Sequence, residues 1–147
     1  MGYSLPRVAT YFAGGIPDEQ WRRLLGYCLD RADSFAVHFP DGPGMLSCGR
    51  EEFPALAGVR VAPWAGMRES VEVSGPLTTE SRELFRRLET SVTSYEAERK
   101  LWDYRLFRAG DIVLQVGDFS DVLVTADDGE LAALRAEGVS TGGWDLA

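Results

Sequence analysis

Histidine is nearly missing from this chain of 147 residues: His38 is the only one. Any chemistry that needs an imidazole base must use that single ring, and a metal held by two histidines is excluded. Cysteine is almost as scarce. Cys28 and Cys48 are the only two, and so sparse a pair reads as two thiols rather than a bridge or the half of a zinc site. Lysine appears once, as Lys100, so 14 of the 15 basic residues are arginines. That skew is compositional and is not read as a phosphate-binding set. No apolar run approaches the length of a membrane span. The first residues, MGYSLPRVATYFAGG, lack the basic start, apolar run and small-residue cleavage site of a secretory signal. Pro6 also spoils a myristoylation match, and a cytoplasmic location is the expectation. There is no P-loop, no Rossmann glycine pattern and no HExxH, and no GxSxG elbow or kinase signature. The expected cofactors and metals are none.

Acidity is the positive signal. A net charge of −8 disfavours nucleic acid, which needs a basic face, and an anionic membrane surface. It favours solubility and attraction to a basic partner protein.

The length fits one domain, 1–147, with 138–147 as an irregular tail. A first strand is expected around Arg7–Phe12. Next, IPDEQWRRLLGYCLDRAD carries Trp21, Leu24, Leu25, Cys28, Leu29 and Ala32 as one stripe at helical spacing, with Asp18 and Glu19 where the helix dipole favours them. SFAVHF alternates, Phe35, Val37 and Phe39 on one face and Ala36 and His38 on the other. MLSC reads as a short returning strand, REEFPALAG as a helical turn, and VRVAPWAGMRESVEV as two strands around a loop. Thr78 caps a second helix whose stripe is Leu84, Phe85, Leu88, Val92 and Tyr95, with Glu83 and Arg87 as a surface pair. LWDYRLF, DIVLQVG and DVLVTA then form a meander, because RAGD and GDFSD are too short for helical crossovers. Asp127 and Glu130 frame a capping box for a last helix that Gly138 ends. The fold class is therefore α+β: a single two-layer domain, mostly antiparallel, with two main helices and a short C-terminal one. Short strands alternate with helices in a way broadly similar to the acetyltransferase fold, but the acetyl-CoA loop of that family is absent.

Two constellations bear on function. His38, with Asp41 to orient it and Cys48 as nucleophile, would make a small Cys-His-Asp enzyme or a ligand pocket, with Tyr11 as a further wall. The second constellation is a set of contact residues. Trp64 and Met67 sit in the loop APWAGMR, and Asp118, Phe119 and Asp121 form a hairpin tip in which an aromatic is held between acids. Asp111 belongs to the opposite turn, roughly 20 Å away, so the three aspartates of GDIVLQVGDFSD do not share an ion. Asp118 and Asp121 read as turn residues first. The whole profile resembles that of small acidic inhibitors, immunity proteins and antitoxins among them. This likeness of physical class implies a non-catalytic module that neutralises a basic partner, with partner contacts at Asp118, Phe119, Asp121, Trp64 and Met67, and no catalytic residue.

Overall fold

A computed structural model describes residues 8–42, 47–92 and 100–147. Eight strands form one antiparallel sheet: β1 (Ala9–Phe12), β2 (Ser34–Pro40), β3 (Arg60–Pro63), β4 (Ser70–Pro76), β5 (Asp103–Arg108), β6 (Asp111–Gly117), β7 (Asp121–Ala126) and β8 (Asp145–Leu146). Their order across the sheet is β3-β4-β2-β5-β6-β7-β1-β8. Among the described residues three α-helices, α1 (Asp18–Arg31), α2 (Thr79–Leu88) and α3 (Asp128–Ala136), complete the α+β domain. β5, β6 and β7 are the expected meander, paired in sequence order.

Alternation along each strand decides what the sheet buries. Val37 of β2 stands opposite Val73 of β4 and Tyr104 of β5, and Tyr104 opposite Val116 of β6. These residues are fully buried beneath the Trp21, Leu24, Leu25, Cys28 and Leu29 stripe of α1. Phe35, Phe53 and Phe85 meet edge-on or tilted within that layer, with ring centroids 5.1–5.6 Å apart. Burial of this apolar area supplies most of the drive to fold. Burial also pushes the Cys28 thiol up to about 12, so it behaves as a small core hydrophobe.

The two later helices start on reciprocal caps. Thr78 accepts from the Ser81 N–H while the Ser81 hydroxyl accepts from the Thr78 N–H; Asp127 and Glu130 do the same for α3. Such caps contribute about 1 kcal/mol each. Arg82 of α2 then closes the end of α1. Its three guanidinium nitrogens donate to the Leu29, Ala32 and Leu77 carbonyls at 2.9–3.0 Å, satisfying acceptors that a helix terminus leaves open. Arg31 of α1 reaches Glu130 of α3 at 3.6 Å.

Four expectations change. The second helix stops at Leu88 and does not run on through Val92; Tyr95 lies outside the described residues. Beyond its end, Glu89 turns its carboxylate inward, where it is fully buried and accepts from Lys100 Nζ at 3.1 Å, the Leu101 N–H at 2.8 Å and the Tyr104 hydroxyl at 2.9 Å. Ser47 and Cys48 enter a turn, not a strand, while Met45 and Leu46 lie outside the described residues. The tail is ordered by packing: Val139 and Thr141 are buried, Trp144 lies against Tyr11, and β8 pairs with β1. Glu83 and Arg87 form no ion pair with each other, consistent with how little such a surface pair contributes.

Candidate functional site

The helices cover one face of the sheet. His38 projects from the other, yet it is fully buried. Register explains this. Glu72 and Asp103 are its direct cross-strand neighbours on β4 and β5, close enough for side chains to meet. His38 Nδ1 lies 2.8 Å from Asp103 Oδ1 and Nε2 lies 2.8 Å from Glu72 Oε2. Both contacts are donations from the ring when it is the imidazolium, which carries two N–H groups and no acceptor. Trp64 then closes the ring from above. It stacks on His38 with centroids 3.8 Å apart and planes 10° from parallel, and Trp102 meets Trp64 edge-on at 5.8 Å.

The loop between β3 and β4 is shaped to hold Trp64 there. A Cβ on Gly66 would fall 2.4 Å from the indole Cε2 and Cζ2 atoms, so the position requires glycine. Ser70 donates its hydroxyl to the Met67 and Trp64 carbonyls, and the Trp64 N–H donates back to the Ser70 carbonyl at 3.0 Å. Met67 is left exposed on the outside of this loop.

The β6–β7 hairpin arrives at the same end of the sheet. Gly117 pairs with Asp121, and Asp118 and Phe119 in the turn both take left-handed backbone, φ 47° and 70°. Aspartate tolerates that region; a bulky phenylalanine is held there at a cost of about 1–2 kcal/mol. The Phe119 N–H donates to the Trp102 carbonyl at 2.7 Å. Trp102 thus joins the two loops, touching Trp64 with its ring and Phe119 with its backbone. Asp118 and Asp121 are exposed, and Glu69 and Asp41 lie at the same end, linked by the Asp41 N–H to the Glu69 carbonyl at 2.7 Å. Asp111 is at the opposite end, paired with Arg108 across the tight Ala109-Gly110 turn.

The enzyme constellation does not assemble. Both His38 nitrogens are taken by Asp103 and Glu72, and the Asp41 carboxylate accepts from Arg50 Nε at 3.2 Å. Cys48 lies near Lys100 and Glu89, where burial, reinforced by the Glu89 and Glu52 charges, pushes its thiol up to about 11. A thiol so disposed carries little thiolate at neutral pH. Tyr11 is on the helix side, beside Trp144. Among the described residues no group of three or more His, Cys, Asp or Glu is arranged to hold a metal ion. No helix among them is long and apolar enough to cross a membrane.

Sequence reasoning named Trp64, Met67, Asp118, Phe119 and Asp121 but missed Glu72, Asp103 and Trp102. Glu72 sits between Val71 and Val73 as His38 sits between Val37 and Phe39. That shared parity was the available signal; pairing the two needed the register. The chain matches no protein-family model, no curated protein and no solved structure.

Proposed function

We propose that this protein is a small acidic binding module that recognises a basic partner protein through the sheet end built from residues 64–69, Trp102 and 117–121. An inhibitor that neutralises its partner, in the manner of immunity proteins and antitoxins, is the form of that role closest to its physical class. The observation that carries the reading is the convergence of two loops, distant in sequence, on Trp102: one presents Met67 and Trp64, the other a strained Phe119 between two exposed acids. Strain of this kind persists where function requires it. Aromatic and methionine side chains with an acidic rim suit a cationic surface, and the net charge of −8 would speed the encounter.

Binding is favoured over catalysis because the one imidazole is enclosed. His38, between two carboxylates and beneath Trp64, is positioned to stiffen the platform under the loops and has no free nitrogen for a substrate. The test is comparative capture from the source cell's lysate, wild type against Asp118→Asn/Phe119→Gly/Asp121→Asn, at low and high salt. A basic protein retained by the wild type alone, and released by salt, supports the reading. Equal retention by both proteins removes it.

A further inference from the structure

The surroundings of His38 use two ring donors, which only the imidazolium has. Asp103 of β5 and Glu72 of β4 offer one carboxylate to each nitrogen, both at 2.8 Å. A neutral imidazole carries a single N–H, and its second nitrogen is an acceptor. Removal of one proton therefore sets a ring lone pair against a carboxylate oxygen. The side chain of Glu72 is 35% exposed and that of Asp103 is 15% exposed. Glu72 is thus the partner that can turn away to water, leaving the remaining N–H with Asp103.

The other charged groups of this face leave the ring's bonds alone. Gly117 stands between Asp103 and Asp121 of β7. Arg105 and Arg60 lie in the adjoining row, opposite Ala36 and Ser74, and neither pairs with Glu72 or Asp103. Arg68 and Glu69 of the covering loop are exposed, and Asp41 beyond β2 is bonded to Arg50.

Trp64 is held by the same ring charge. An indole face attracts a cation stacked on it, and here the planes are 10° apart with centroids at 3.8 Å. The loop that carries Trp64 closes against strain: Glu69 has left-handed backbone, φ 53°, which residues other than glycine seldom adopt. With the proton gone, the attraction weakens and Nε2 becomes a buried acceptor without a donor, which is costly. Water can supply that donor once the cover lifts, and the strained loop is the cover.

We propose that His38 is a proton-operated latch: the doubly protonated ring holds Glu72 and Trp64 in place, and loss of one proton frees Glu72 and lifts the 64–69 loop from the sheet. Glu72→Gln is the informative substitution, because an amide can accept from an N–H or donate to a lone pair. It satisfies the ring in both protonation states and should keep the loop shut in both. Any effect of the latch on partner binding rests on the proposed function. The latch itself is a property of the free chain, so the two readings fail separately.

The experiment is NMR of the full chain without a partner from about pH 5 to pH 10, around the range in which an imidazole changes charge. His38 is the only histidine, so its ring signals are read without ambiguity. The ring carbon shifts report its charge, and the nuclear Overhauser contact between its protons and the Trp64 indole reports the closed loop. Unchanged signals from the fully buried Trp21 mark the chain as folded throughout. The contact is expected to be strong on the imidazolium and to disappear with the same midpoint as the ring titration, whereas Glu72→Gln should retain it. A contact that persists while the wild-type ring titrates, a ring that keeps one charge state across the range, or equal loss in Glu72→Gln would overturn the proposal. The wild-type comparison stands whether or not the variant folds.

Discussion

Replacing Lys100 with methionine keeps most of the side-chain volume and removes the cation from a fully buried pair. Glu89 would then hold its charge with only the Leu101 N–H and the Tyr104 hydroxyl as donors. In the wild type, burial already pushes the Glu89 carboxyl above its ordinary value of 4.5, opposed mainly by Lys100 and then by those two groups. The sign follows from linkage. A carboxyl whose folded value is raised holds its proton more tightly than the unfolded chain does, so its contribution to stability is full below pH 4.5 and is lost as pH rises through the folded value. Without Lys100 that loss extends further. It has a ceiling, because the carboxyl can take up a proton: at neutral pH, about 2.5 pH units above the ordinary value, protonation costs roughly 3 kcal/mol. Lys100→Met should therefore lose about 2–3 kcal/mol at pH 7, at or just below the lower edge of the roughly 3–5 kcal/mol for breaking a buried pair because protonation caps the loss, and well under half of that at pH 4.5. At this chain length the pH 7 loss corresponds to about 6–12 °C in Tm. Urea unfolding followed by tryptophan fluorescence at both pH values measures it. An equal loss at the two pH values, or less than about 1 kcal/mol at pH 7, would refute the reasoning. Glu89→Gln/Lys100→Met should recover much of the pH 7 loss, because neither charge is then left alone.

Arg82→Met removes three donors from the end of α1 and the Leu77 carbonyl; an unfolding free energy from urea denaturation lower by about 2–3 kcal/mol is expected, and Arg82→Lys should restore only part of it. Gly66→Ala forces Trp64 away from its seat, so the near-ultraviolet dichroism of the Trp64–Trp102 pair should collapse, with a loss of about 1–3 kcal/mol; an unchanged spectrum would show that the loop gives way instead. Phe119→Gly relieves left-handed backbone strain as it removes a half-buried ring, so its unfolding free energy in urea should stay within about 1 kcal/mol of wild type. A large drop there would show that Phe119 is a folding residue.

Local signals were legible wherever one element's own chemistry decides the outcome. The α1 stripe, the Asp127–Glu130 box and the period-two alternation of β2 and β6 need only neighbours in sequence. The same logic separated Asp111 from Asp118 and Asp121, since consecutive turns of a meander lie at opposite ends. What depended on register was not legible. Alternation puts His38 on the face opposite Phe35, Val37 and Phe39, but it does not show that Glu72 and Asp103, 34 and 65 residues away, bond its ring there. Trp102 has the parity of Tyr104 and Leu106 but sits ahead of β5, and it turns to Trp64 instead. The helix over 79–88 ends early because Glu89 is drawn to Lys100, a contact that periodicity does not encode.

The central claim is that the Trp64–Trp102–Phe119 end of the sheet contacts a basic protein. It is tested most directly by immobilising the wild type and Asp118→Asn/Phe119→Gly/Asp121→Asn side by side, with equal folded fractions verified, and weighing what each retains from lysate. The account predicts one basic protein in stoichiometric amount on the wild type, reduced at high salt and missing from the variant. Identical retention by the two proteins, or a wild type that carries a small molecule and no protein, would contradict it.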